Sequence, residues 1–268
     1  MDGRIARALR RLERQTGGRV LLAAETGDQA RGIPAAEAPL EVRAVMVMPW
    51  PWYLRLDGRP HDLWQYQGGG RFTVPDGGGA YGGEAAAFPP PPGVPDVVVW
   101  EMRRFLRLFA AGDPMAFEWL GAPAVFIGDA RIVRRLRALR RRYFRPAPTV
   151  RQALALAERA LIDWTPDGAI AVRHLAEFAH AFLTARRAAT GALPPLSLRR
   201  LLAHASDLPG REALLAALQE PPLHRVPFPP DLYKAYHTEY PHLCATAASP
   251  TAPISAAPLE RLLAEAMR

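Results

Sequence analysis

The fold is decided by residues 21–33, which read LLAAETGDQARGI, together with residues 40–47, which read LEVRAVMV. A short apolar run leads into Gly27, and a second apolar segment follows that opens with Glu41. Short apolar runs bounded by glycine or proline are typical of buried strands. The pattern therefore predicts two strands with a turn at Gly27 and Asp28 between them, and a carboxylate where the second strand begins.

Composition bounds the class of protein. The chain has 268 residues, of which 49% are hydrophobic, enough for one large domain or two small ones. Cys244 is the single cysteine, which excludes a disulfide framework or a cysteine-based zinc site within one chain. No apolar run reaches the ~18 residues of a transmembrane helix, and the first residues lack the apolar core of a signal peptide. We therefore expect a cytoplasmic protein with no membrane partner.

The net charge is +8, and Lys234 is the only lysine, so arginine supplies almost all of the positive charge. A predicted helix over residues 130–142, capped by Asp129, has an apolar side and a continuous basic face. Its arginines are Arg131, Arg134, Arg135, Arg137, Arg140, Arg141 and Arg142. This face is either simply solvated, in a protein from a GC-rich genome, or it follows the phosphates of an RNA or nucleotide.

Periodicity divides the rest of the chain. Strands are predicted at 19–24, 40–48 and 96–99, and a Gly/Pro-rich insert at 57–95 is interpreted as a loop or hairpin. Asp113 followed by Pro114 predicts a capped helix start. Helices are predicted at 2–16, 149–163, 168–189, 197–206, 209–219 and 256–267, whereas the Pro/Ser/Thr-rich segment 220–255 is expected to wrap the surface. His174 and His180 are interpreted as ordinary helix residues.

Several segments, in order, resemble the predicted nucleotidyltransferases of the DNA polymerase β superfamily, specifically the group associated with RNA ligases. Residues 96–104 (DVVVWEMRR) are similar to that group's Asp-x-x-Gly-Trp-Asp-Leu-Arg-Lys passage, and residues 113–120 (DPMAFEWL) to its Asn-Pro-x-x-x-Glu-Trp-Leu element. Residues 51–56, 143–146 and 193–198 add weaker similarities. The resemblance implies an α/β (α+β) fold with a nucleotidyltransferase-like mixed sheet and a C-terminal helical domain. Together with their apolar content, the family order predicts that the strands at 19–24, 40–48 and 96–99 are neighbours in this sheet.

The resemblance also implies the roles of particular residues. In such enzymes three carboxylates hold two magnesium ions, which bridge the triphosphate of an NTP and activate the attacking hydroxyl. Pro39 lies at the first carboxylate position, Glu41 at the second and Asp96 at the third. Glu41 and Asp96 are therefore the candidate catalytic and metal-binding residues. Gly27 and Asp28, where the group has Gly-Ser, and the nearby Arg31 are the candidate nucleotide-binding residues.

This chain departs from the group's pattern at the residues that carry the chemistry. The side chain of Pro39 cannot bind a metal, and the longer Glu41 displaces its oxygens although magnesium requires near-ideal geometry. Asp28 would oppose a phosphate with a repulsion of about 4 kcal/mol at 4 Å and an effective dielectric near 20. Glu37, two residues before Pro39, is the one nearby carboxylate that could replace the lost ligand. We expect weak or absent magnesium binding.

The sequence thus predicts a nucleotidyltransferase-like domain at 1–128 and a helical domain at 129–268. Three functions stay open. The protein descends from an enzyme that transfers a nucleotide from an NTP to a hydroxyl on RNA or a small molecule, and is weak or inactive. Alternatively, it is a catalytically dead pseudoenzyme that binds nucleic acid or a protein partner. The third possibility is a purely structural subunit of an assembly.

Overall fold

The computed structural model describes residues 3–34, 40–54, 62–66, 72–73, 95–162, 164 and 168–268. Its main sheet contains β1 (Arg19–Thr26), β2 (Glu41–Val47), β3 (Leu63–Tyr66), β4 (Phe72–Thr73), β5 (Asp96–Glu101) and β6 (Val125–Gly128). The strand order is β4-β3-β5-β2-β1-β6. Only the β2–β5 pair is parallel among these strands. The predicted mixed sheet, with β5, β2 and β1 as neighbours, is confirmed.

Helices cover both faces of this sheet. On one face, α1 (Gly3–Thr16) places Ile5, Leu9 and Leu12 against the strands. The other face packs against four helices, which share one apolar core. These are α4 (Met102–Ala111), α5 (Pro114–Gly121), α6 (Ala130–Tyr143) and the C-terminal α12 (Ala257–Ala266). A short α2 (Gly27–Arg31) follows β1, and a four-residue α3 (Trp50–Tyr53) follows β2.

A second apolar core lies among the remaining helices. They are α7 (Pro146–Ala160), α8 (Val172–Ala189), α9 (Leu198–Ala203), α10 (Arg211–Ala217) and α11 (Pro230–Ala247). A two-stranded sheet of β7 (Ala169–Ala171) and β8 (Arg225–Pro227) joins them. Ile33, just after α2, belongs to this helical core, so the turn region of the first half contacts the second half. The predicted division at residue 128 stays a prediction.

Local capping explains why several helices begin where the sequence predicted. Asp113 accepts a hydrogen bond from the backbone N–H of Met115 at 2.9 Å, and Asp129 accepts from Arg131 and Ile132 at 3.1 Å each. Pro114 in the first turn of α5 removes no hydrogen bond, because the first N–H groups of a helix have no intrahelical partner. Both predicted caps are confirmed.

The prediction for segment 220–255 was wrong over half its length, because α11 occupies residues 230–247. Pro230 lies in the first turn, where proline is tolerated, and only Pro241 falls inside the helix. Leu232, Tyr236 and Leu243 are buried and supply the packing that outweighs a poor helix propensity.

Within the insert at 57–95, the described residues 63–66 and 72–73 form the antiparallel β3–β4 pair, and most of the insert lies outside the described residues. Among the described residues, no helix is long and apolar enough to cross a membrane.

We predict that Glu101→Ala destabilises the fold by roughly 2–4 kcal/mol. Glu101 is 1% exposed and accepts hydrogen bonds from the N–H groups of Arg103 and Arg104 and, at 2.5 Å, from the hydroxyl of Tyr53. Its loss uncaps α4 and leaves a half-buried hydroxyl without its acceptor. Urea unfolding monitored by circular dichroism measures the change.

The matched control is Asp129→Ala, which removes the cap of α6 at a more accessible position and should cost only about 1 kcal/mol. Equal losses in the two variants would contradict the structural role assigned to Glu101.

Candidate nucleotide-binding cleft

The predicted turn is built as expected between β1 and α2. Gly27 has φ of +72°, a backbone conformation that side chains other than glycine rarely adopt. A Cβ added there would lie 2.3 Å from Oε1 of Glu41. Glycine is therefore needed at position 27 for two reasons. The turn requires a positive φ, and the carboxylate of Glu41 leaves no room for a Cβ.

Strand register brings the two candidate metal ligands together. Glu41 at the start of β2 pairs with Asp96 at the start of β5 in the parallel ladder. Neighbouring strands are separated by about 5 Å, so the two carboxylates lie side by side. This juxtaposition is the one that the sequence resemblance implied.

A guanidinium that the sequence analysis did not single out bridges these carboxylates. Nη2 of Arg43 lies 3.1 Å from Oε2 of Glu41 and 2.7 Å from Oδ2 of Asp96. Nη1 of Arg43 also donates to the backbone oxygen of Asp96 at 3.1 Å. Burial raises the pKa of Glu41, Arg43 opposes that rise, and Asp96 adds to it. The two carboxylates thus already have a cation supplied by the chain itself.

The described residues do not fit a two-magnesium site. Among them, no group of three or more histidine, cysteine, aspartate or glutamate side chains could hold a metal ion. Oδ1 of Asp96 is buried without a hydrogen-bond partner in the described part of the chain, which leaves one carboxylate oxygen uncommitted. Pro39 and Glu37 lie outside the described residues. Magnesium binding at Glu41 and Asp96 stays a prediction.

Asp28 and Arg31, the other two candidates, are each paired with a residue far away in the sequence. Oδ2 of Asp28 lies 2.9 Å from Nη2 of Arg173 on α8, and Nη2 of Arg31 lies 2.9 Å from Oε2 of Glu118 on α5. Burial lowers the pKa of Arg31, but Glu118, with smaller contributions from Glu41 and Asp28, raises it above the ordinary value. Arg31 is therefore a permanent cation in a partly buried ion pair.

These residues line a cleft of about 500 Å³ between the sheet domain and the helices of the second half. Asp28, Arg31 and Glu41 lie on the sheet side. The helical side supplies Arg159, Arg173, His174, Glu177 and His180. The ionisable groups include three arginines and three carboxylates, so the cleft is balanced in charge rather than strongly basic. Gly27 and Asp96 are not part of the cleft lining, although Gly27 packs against Glu41, which is.

His180 is a neutral group at the floor of the cleft. Its Nε2 lies 2.7 Å from the backbone oxygen of Leu196, and because a carbonyl only accepts, Nε2 must carry the hydrogen. Burial, with the nearby charge of Arg31, lowers the pKa of His180 to about 4. The imidazole therefore stays uncharged at neutral pH.

The basic face of α6 is smaller than the sequence predicted. Arg131 and Arg135 pair with Glu265 of α12, whereas Arg137 and Arg140 donate to backbone oxygens at the end of α5. Three exposed arginines of α6 have no ion pair within the described residues. They are Arg134, Arg141 and Arg142.

We predict that His180 makes the fold sensitive to mild acid. The pKa of His180 is lower in the folded than in the unfolded chain, so its contribution is fully present above about 6.5 and is lost as pH falls towards about 4. The shift corresponds to roughly 3 kcal/mol. Unfolding free energies between pH 7 and 4 should therefore fall less steeply in His180→Gln than in the wild type.

The control is His204→Gln, which replaces an exposed histidine in the same half of the protein and should leave the slope unchanged. If His180→Gln retained the full slope of the wild type, the acid sensitivity would belong to other groups.

Two comparisons with known proteins relate this chain to others. The uncharacterized protein YcgL of Bacillus subtilis (strain 168) is 26% identical to this chain over 164 residues, which cover 61% of this chain and 54% of that relative. The match therefore spans about half of the relative's length. The model of the RNA repair pathway DNA polymerase beta family matches residues 1–226. The chain belongs to this family of DNA polymerase β-like nucleotidyltransferases.

Proposed function

We propose that this protein binds a nucleotide in the cleft and that its transfer of the nucleotide to a hydroxyl acceptor is weak or lost. Family membership supports a nucleotidyltransferase ancestry. The observation that carries the proposal is the Arg43 guanidinium, which bridges Glu41 and Asp96. Carboxylates that neutralise a buried arginine are poorly placed to bind a divalent ion as well.

The cleft itself offers both attraction and repulsion to phosphates. Arg159 and Arg173 lie on the helical side, and guanidinium groups match phosphate oxygens in geometry. By the resemblance, Asp28 lies at the turn where the family places phosphates, and it is neutralised there by Arg173. A triphosphate that drew Arg173 away from Asp28 would meet a stronger repulsion from the unpaired carboxylate. Binding of the nucleotide by the helical side is therefore the arrangement that the charges support.

A second function, binding of RNA without catalysis, is supported by the three exposed arginines of α6. Arg134, Arg141 and Arg142 lie on one short helix and are not used in ion pairs within the described structure. Such a surface would bind phosphates without reading sequence. RNA as a partner, a protein partner and a cytoplasmic location all stay proposals.

We predict that Asp28→Asn binds ATP at least about tenfold more tightly than the wild type. The substitution keeps the size of the side chain and removes the negative charge that opposes the phosphates, and tenfold corresponds to about 1.4 kcal/mol. Isothermal titration of ATP into both proteins measures the gain. Asp207→Asn is the control, because Asp207 is 75% exposed and does not line the cleft, and its affinity should equal that of the wild type.

The same titration with magnesium separates binding from catalysis. If the metal is held by the nucleotide alone, magnesium changes the affinity equally in the wild type and in Glu41→Gln. Magnesium-dependent nucleotide transfer by the wild type that disappears in Glu41→Gln would overturn the proposed loss of activity.

We predict that replacing Arg134, Arg141 and Arg142 together by glutamine weakens the binding of single-stranded RNA equally for all sequences. Each lost phosphate contact should flatten the slope of log affinity against log salt by about 0.7. Fluorescence anisotropy with labelled RNA at several salt concentrations gives the slope.

The matched control replaces Arg7, Arg10 and Arg11, which are exposed on α1, and changes the net charge by the same amount. An equal effect of the two triple variants would show that total charge matters rather than the surface of α6. A wild type without RNA affinity at low salt would remove this second function.

A further inference from the structure

A small cavity of about 80 Å³ lies beside the cleft, between α5, α7, α8 and the segment 193–196. It shares Arg31, Leu156, His180 and Ala181 with the cleft, so the two spaces are neighbours. Its wall is partly apolar, with Phe117 and Phe144. Its polar lining is Arg31, Glu118, Arg140, Thr149, Gln152 and Thr184.

The charges around this cavity do not balance. Glu118 is the only carboxylate in the lining, and its Oε2 is already engaged by Arg31 at 2.9 Å. His180 is neutral at physiological pH. The charge of Arg140 therefore remains without a counter-ion in the lining.

Arg140 is held in place by the end of a helix rather than by an acid. Its Nη2 donates to the backbone oxygen of Phe117 on α5 at 3.4 Å, and a Cβ added at Gly121 would come within 2.9 Å of the same nitrogen. Burial, together with neighbouring Arg137, lowers the pKa of Arg140. The C-terminal end of α5 compensates the charge only in part, because a helix end carries about half a unit charge.

Polar groups without partners also collect at this cavity. Within the described residues, Nε of Arg31, Nε of Arg140 and Oγ1 of Thr184 are buried without a hydrogen-bond partner. Buried polar atoms are normally paired, so these three atoms, beside the uncompensated charge of Arg140, leave hydrogen-bonding capacity in residues of the cavity wall.

We propose that this cavity binds a compact phosphate group, with Arg140 as the principal cation and Thr184 and Gln152 as further donors. The volume suits a group of that size. Arginine forks and hydroxyl donors together are typical of phosphate sites. The site goes beyond the proposed nucleotide binding, because it does not use Asp28, Arg159 or Arg173 of the cleft.

Inorganic phosphate is the probe for this site. Titration at constant ionic strength, with chloride as the replaced anion, is followed by phosphorus NMR line width and by calorimetry. The wild type should bind one phosphate saturably, and Arg140→Gln should weaken the affinity at least tenfold. Arg10→Gln, which changes an exposed arginine of α1 that lines neither the cavity nor the cleft, is the matched control and should bind like the wild type.

Thr184→Val provides an independent variant if Arg140→Gln fails to fold, because valine matches threonine in shape and removes only the hydroxyl. It should weaken phosphate binding severalfold. Unchanged affinity in a folded Arg140→Gln, or no saturable phosphate binding by the wild type, would overturn the proposal. Equal affinity for acetate would overturn the assignment to phosphate.

Two further measurements identify the source of the phosphate and separate this site from the cleft. Competition of ATP with inorganic phosphate would assign the site to a phosphate of the nucleotide, and independent binding would assign it to free phosphate. Asp28→Asn should change ATP affinity without changing phosphate affinity. If Asp28→Asn altered both equally, phosphate would be binding in the cleft and the separate site would be refuted.

Discussion

The bridge from Arg43 to Glu41 and Asp96 is the interaction on which the centre of this molecule depends. The parallel register of β2 and β5 forces two carboxylates together at one edge of the sheet, where both are largely covered. Two such charges about 5 Å apart repel each other strongly in a medium of low dielectric, so they need a cation between or beside them. Arg43 supplies this cation from the same strand, since residues 41 and 43 share one face of β2.

Ion pairs also surround the turn after β1, and one of them reaches the second half of the chain. Asp28 pairs with Arg173 and Arg31 pairs with Glu118, so the charged side chains around the turn have partners at fixed distances. Each of these pairs joins α2 to a helix that is distant in sequence. A ligand that enters the cleft competes with these ion pairs, and its affinity is set by the difference between the pairs it breaks and the contacts it makes.

Local signals were sufficient to predict the central strands of the sheet and the starts of α5 and α6. The apolar runs at 19–24 and 40–48 carry their own periodicity, and Asp113 and Asp129 are adjacent to the N–H groups that they cap. The helix α11 was missed because its burial depends on Phe178, Phe182 and other residues of α8 that contact Tyr236. Around the cleft, Gly27, Glu41 and Asp96 were singled out through the family resemblance, and the strand register brings Glu41 and Asp96 together. Arg43 could have been identified from its spacing to Glu41, whereas Arg173 and Glu118 could not, because only tertiary packing brings them to Asp28 and Arg31.

Glu41 and Asp96 thus have a structural role as the partners of Arg43. Their presence is not in itself a sign of catalysis. Because Arg43 is largely buried, removal of either carboxylate leaves part of its positive charge without a partner. Such a loss destabilises a protein more than replacement of the whole ion pair by apolar residues does. Gly27 is retained for a related reason, because the carboxylate of Glu41 occupies the space that any Cβ would need. These contacts would hold Glu41 and Asp96 in place for stability alone, whether or not a metal binds beside them. Binding in the cleft and transfer of a nucleotide are therefore two different properties, and each must be measured by itself.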